Sequence, residues 1–195
     1  MRRRPPGLMS SSRIRALLTV IAVMVALTAG WPLLNLAVSD HQPLPAGARL
    51  SVGPNRAHSA RFMVGAGWSM ISSQSNPRHG YSLRRGPVAV SVKYVTLSSK
   101  SQAGSLWTGL QSILRAANAS ARLTKPALVT DAQGGMRLTG FITENGRWGT
   151  ATVFSNPAGG FAIEMVVLAP RRAISASRAE ARQLVRSMRL SRTPG

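Results

Sequence analysis

The first long apolar feature of the chain is a run of 23 residues, Ala16 to Val38, that contains no charge. At 1.5 Å per residue a helix of that length is roughly 34 Å long, enough to cross a ~30 Å hydrocarbon core. After it the period changes. Asp40 to Ala48 carries two prolines and a glycine and reads as a linker. Arg49–Val52, Ala60–Val64 and Tyr81–Arg84 are short and β-prone, and Met70 to Gly80 is Ser/Asn/Pro-rich and reads as a loop. In Pro87–Leu97, Val88, Val90, Val92 and Tyr94 alternate with Ala89, Ser91, Lys93 and Val95, the period-two pattern of a half-buried strand.

Gly104 to Ala119 switches to helical spacing, with Leu106, Trp107, Leu110, Ile113, Leu114 and Ala117 on one side. Four β-prone runs follow: Ala127–Thr130, Met136–Thr143, Arg147–Phe154 and Phe161–Leu168. Asn145-Gly146 between two of them predicts a tight hairpin. Arg172 to Leu190 is helical again, its apolar face formed by Ile174, Ala181, Leu184, Val185 and Met188, and Ser191–Gly195 reads as a tail. The predicted order is ββββ-α-ββββ-α: an α+β domain over residues 49–190, with an antiparallel sheet of about 7–8 strands covered by two helices. One transmembrane helix precedes it.

Charge sets the orientation. Arg2, Arg3, Arg4, Arg13 and Arg15 precede or abut the apolar run. By the positive-inside rule residues 1–15 stay in the cytoplasm, 16–38 form a signal anchor, and everything from about Ser39 is carried across the plasma membrane. A cleaved signal peptide is the rival reading, with Leu27-Thr28-Ala29 and Ala37-Val38-Ser39 as candidate cleavage sequences. The whole chain has 25 Lys+Arg against 5 Asp+Glu. Such an excess favours anionic partners, and outside the cell these are anionic lipid or another envelope component rather than nucleic acid. The absence of cysteine excludes a lipid-anchored lipoprotein, a thiolate metal site and a thiol nucleophile.

The element order has a known counterpart. The entry strand ending in Gly67-Trp68, the central helix, the four-stranded meander, the Phe161-Ala162-Ile163 strand and the terminal helix ending near Ser187-Met188 resemble the PsbP-like domains. Relatives of that fold occur as membrane-anchored or lipoprotein domains on the outer side of actinobacterial cells, and the resemblance implies an actinobacterial, membrane-anchored exported protein. The resemblance implies a binding or assembly-assisting protein rather than an enzyme. The missing cysteine departs from the lipoprotein members, so a protein anchor replaces the lipid.

Candidate chemistry is sparse. The acids are Asp40, Asp131, Glu144, Glu164 and Glu180; a two-carboxylate hydrolase would draw on Asp131 or Glu164. His41, His58 and His79 fall in predicted loops without ligand spacing, so no metal and no cofactor is expected. Two constellations remain. Arg178, Arg182, Arg186 and Arg189 run down the last helix, with Arg171 and Arg172 at its start; they either meet an anionic surface or form a solvated face. Trp68, Arg84 and Arg85 either rim a ligand cleft beside the Ser72–His79 loop or, for Trp68, belong to the core. The reading is a single-pass, N-in membrane protein displaying a non-catalytic binding or assembly domain on the cell envelope. The alternatives are an envelope hydrolase and a cleaved protein held electrostatically at anionic surfaces.

Overall fold

The computed structural model describes residues 40–97, 103–130, 136–156 and 159–191. The anchor assigned to residues 16–38 and the candidate acid Asp131 lie outside the described residues. Among those described, no helix is long and apolar enough to cross a membrane.

The chain enters through β1 (His41–Pro43), β2 (Arg49–Val52), β3 (Ala60–Met63) and β4 (Ser69–Ile71), then makes a 3-10 turn at Ser72–Gln74. The hairpin β5 (Gly80–Arg85) and β6 (Val88–Thr96) leads to helix α1 (Ala103–Ala117). Five strands follow: β7 (Arg122–Leu123), β8 (Ala127–Thr130), β9 (Met136–Glu144), β10 (Arg147–Ser155) and β11 (Phe161–Pro170). A second 3-10 turn, Arg171–Ala173, opens helix α2 (Ile174–Ser187), and β12 (Arg189–Leu190) closes the described chain. The domain is α+β, with two helices and a large antiparallel sheet.

Several elements differ from the sequence expectation, β4 overlapping the predicted Met70–Gly80 loop and β7 lying in a stretch with no predicted strand. The strands form two sheets rather than one: a nine-stranded sheet in the order β1-β4-β5-β6-β11-β10-β9-β7, with β8 also on β9, and a three-stranded sheet β12-β3-β2. The linker contains β1, which pairs with β4, because the backbone of a proline-bearing segment can still occupy a sheet edge. The Asp40 carboxylate reinforces that edge by accepting hydrogen bonds from the Ser73 N–H at 2.8 Å and hydroxyl at 2.7 Å. These two bonds hold the Asp40 carboxyl below the usual aspartate range. The last helix ends at Ser187 rather than Leu190, since Arg189 and Leu190 pair with Arg61 and Ala60 of β3. Ser191, assigned to the tail, donates its hydroxyl to the Ala57 carbonyl at 2.6 Å and its N–H to Ser59.

Local chemistry explains the clearest turn. Asn145 and Gly146 take φ of +47° and +70° between paired Glu144 and Arg147, the two-residue geometry that matches strand twist.

Alternation along the central strands sorts side chains to two faces. Val88, Val90 and Val92 of β6 and Phe161, Ile163, Met165 and Val167 of β11 join Trp68, Phe62 and Leu83 in the larger core. Helix α2 closes it with Ala181 and Leu184, and Met188, just past the helix end, joins them. On the opposite face, α1 sets Leu106, Trp107 and Leu110 against Leu138, Ala151, Val153 and Ala162. Gly140 allows the close approach: a Cβ there would lie 2.8 Å from the Trp107 ring. The indole N–H of Trp107 donates to the Thr124 carbonyl at 3.2 Å.

Candidate functional site

The α1 face is covered unevenly. Helix α1 packs over β7, β9 and β10. Toward β5 and β6, the side chains on this face shrink to Ser82, Ala89 and Ser91, and a trough of about 190 Å³ opens between them and α1. Its α1 wall is Leu110, Ile113 and Leu114, and its floor continues onto Val166 and Leu168 of β11. Ile113 is half exposed at the rim. A second hollow of about 330 Å³ shares Gln74, Ser82, Ser91, Lys93, Ile113 and Glu164, so the two form one groove running toward Asn76 and His79.

One charged pair marks the groove. Glu164 is 6% exposed and stands directly across from Lys93 in the β6–β11 ladder. Burial pushes the Glu164 carboxyl above its ordinary range, and the Lys93 ammonium partly opposes that shift. Lys93 itself is exposed. Glu144 also lines the groove, where its carboxylate accepts a hydrogen bond of 3.0 Å from the Asn118 side chain. The site is a mostly apolar concavity with one carboxyl biased toward its neutral form and one ammonium at its edge. That combination suits recognition of an apolar group flanked by a polar or charged one.

The residues singled out from the sequence are distributed differently. Trp68 is 1% exposed and belongs to the core of the α2 face, its indole N–H without an acceptor among the described residues; it rims no cleft. Arg84 is exposed and its Nε donates to the Gly86 carbonyl at 3.3 Å. Arg85 leaves the Ser72–His79 loop altogether and meets Glu180 of α2, with Nη1 2.6 Å from Oε1. Glu180, solitary on an arginine-rich helix in the sequence, is therefore the partner of a residue 95 positions away.

The arginine stripe is broken by the end of α2. Arg182 and Arg186 are exposed on the helix, but Arg189 lies on β12 and turns its Nη1 to the Arg186 and Met188 carbonyls. Arg171 and Arg172 sit in the preceding 3-10 turn, and Arg171 stacks 5.7 Å over the Trp148 ring. The side chain of Arg178 lies outside the described part of the structure. Of the histidines, His79 borders the groove, while His58 packs edge-on against Phe161. Lys93 is the groove residue that the sequence reading left as an ordinary strand position. Its signal was the mid-strand charge on the small-residue side of β6.

No family model and no curated protein matches this sequence. Among solved structures, cyanobacterial PsbP (CyanoP) from Synechocystis sp. PCC 6803 superposes with a TM-score of 0.55 at 13% identity, over 75% of this chain and 95% of that one. The Ran-binding protein Mog1p of Saccharomyces cerevisiae superposes at 0.50 and 10% identity, over 76% and 98%. The fold is that of PsbP and Mog1p. The resemblance drawn from element order thus holds for the architecture of the domain.

Proposed function

We propose that the chain is a single-pass envelope protein, anchored N-in by residues 16–38, whose extracytoplasmic domain binds a partner without catalysing a reaction. The observation that carries the binding role is the groove beside α1, an apolar trough on a rigid sheet with the Glu164–Lys93 pair at its end. Its occupant is an apolar segment of another envelope protein or a small wall component, with a polar group directed at the pair. A two-carboxylate hydrolase would need a second carboxylate placed across one bond from Glu164, whose raised carboxyl alone could serve as a general acid; the other described carboxylate of the groove, Glu144, accepts a hydrogen bond from Asn118. The PsbP/Mog1p fold is one on which a Ran-binding protein is built, which supports a binding role by architecture alone.

Filling the groove tests this reading. Ser91→Trp in the full-length protein is expected to keep the thermal unfolding midpoint. It should also abolish retention of the membrane partner that the unaltered protein retains. Equal retention by both overturns the groove as the binding site. N-terminal sequencing of the mature protein tests the anchor, and a start at Gly30 or Asp40 defeats it. Loss of a cellular phenotype on joint alanine replacement of Asp131 and Glu164, with partner binding intact, would restore the hydrolase.

A further inference from the structure

The opposite face of the large sheet carries a second surface. There α2 packs over β3, β10 and β11, and the β7–β9 end extends past it. Phe141 and Trp148 stand on that end, 56% and 38% exposed. The register places them together: Trp148 pairs with Thr143 and Phe141 with Thr150 on adjacent strands, while Arg122 of β7 pairs with the other side of Thr143. Arg122, Phe141, Thr143 and Trp148 line one shallow hollow of about 380 Å³, and the Arg171 guanidinium covers the Trp148 ring at 5.7 Å.

The charge on this surface is one-sided. Among the described carboxylates, Glu144 and Glu164 open into the groove on the α1 face, Asp40 is held by Ser73 at the β1 edge, and Glu180 is taken by Arg85. No described carboxylate is therefore engaged at Arg122 or Arg171. The Arg122 Nη1 donates to the Ala119 and Ala121 carbonyls at 2.6 and 2.9 Å, so its charge is held at the surface without a described carboxylate to neutralise it. Two partly exposed aromatic side chains beside guanidinium groups of this kind are complementary to a boundary that is apolar on one side and anionic on the other. The headgroup layer of an acidic bilayer is such a boundary, and tryptophan settles at that depth.

We infer that the Phe141–Trp148–Arg122–Arg171 surface docks on an anionic phospholipid bilayer, with the rings at headgroup depth and the guanidinium groups on phosphates. The choice of a bilayer over single-stranded nucleic acid, which also pairs aromatic rings with cations, rests on the anchored reading above. Docking by this surface leaves the groove on the far face of the sheet open to its partner.

Because the chain has no cysteine, a single introduced thiol can be labelled uniquely. The full-length protein carrying Thr143→Cys, or Ser112→Cys on the exposed side of α1 as control, is nitroxide-labelled. It is then reconstituted in phosphatidylcholine vesicles with and without phosphatidylglycerol. The expected result is a label at position 143 that becomes accessible to oxygen and shielded from a water-soluble nickel chelate only with phosphatidylglycerol. The effect should reverse at 1 M salt, where the screening length is about 3 Å, while the label at 112 stays aqueous. Adding Arg122→Gln and Arg171→Gln should abolish the shift while thermal unfolding remains a single cooperative transition. An aqueous label at 143 in acidic vesicles, while the chain resists alkaline extraction, overturns the docking surface and leaves the anchor standing. A shifted label on a chain that alkali strips from phosphatidylcholine upholds the surface and defeats the anchor. Stronger immobilisation by a single-stranded oligonucleotide than by acidic vesicles overturns the bilayer in favour of nucleic acid.

Discussion

The two faces of the nine-stranded sheet are made by the same strands and behave differently. On the α2 face the side chains are Val88, Val90 and Val92 from β6 and Phe161, Ile163, Met165 and Val167 from β11, closed over by α2 and the small sheet. One residue along each strand, the α1 face offers Ala89, Ser91 and Lys93, then Ala162, Glu164 and Val166. Large branched and aromatic side chains fill the space between layers on one side. Small and charged ones leave a trough on the other, because α1 is anchored at the β9–β10 end by Trp107 and Leu110. Tight packing and open space are thereby divided between faces, and the division is set by alternate residues of single strands.

Truncation should expose that asymmetry most strongly. Trp68→Ala, in the sealed core, is expected to cost about 3–5 kcal/mol in denaturant unfolding. Leu110→Ala, beside the trough where neighbours can relax, should cost about 2–3 kcal/mol. Equal losses would mean that the α1 face is as tightly packed as the other. Arg85→Gln leaves the Glu180 carboxylate, 15% exposed, without its cation; the arginine end is partly solvated, so about 1 kcal/mol is expected by the same measurement. A change indistinguishable from zero would show that the pair does not hold α2 to β5.

The smallest effect concerns the charge in the groove. A carboxyl whose folded value is raised keeps its proton in the native state over a pH range where the unfolded chain has lost it. For Glu164 the associated stability is complete below the ordinary value of 4.5 and is lost as pH rises through the higher folded value. Glu164→Gln should remove that decline and leave the protein slightly more stable at neutral pH, as read from unfolding midpoints across the acid range. A variant less stable than the unaltered protein at neutral pH would mean that the ionised carboxylate is held by Lys93 more strongly than burial opposes it.

Local signals carried a good part of the fold. The alternation of β6, the apolar stripe of α1 and the Asn145-Gly146 turn were each readable within a dozen residues, because each depends on nearest neighbours and backbone stereochemistry. The elements that went unread are short strands whose pairing is their main support: β1, drawn out of a proline-rich segment by β4, β4 itself, which overlaps the predicted Met70–Gly80 loop and pairs with β5, β7, held on β9, and β12, drawn from a helical pattern by β3. Arg189 left the predicted stripe for that reason. Two of the candidate cleft residues went elsewhere on long-range grounds, Trp68 into the core and Arg85 to Glu180.

By itself, then, the sequence determined the order of long elements, which residues of each strand share a face, the basic character of the surface, and the α+β class. Tertiary structure decided which strands become neighbours, and with that the site. Glu164 and Lys93 stand opposite only because β11 lies against β6 across 71 residues of chain, and Arg171 reaches Trp148 only because the end of β11 pairs with the start of β10. Periodicity is a property of adjacent residues and survives in the sequence. Pairing between distant strands is chosen by the joint burial of both faces, which no local window contains.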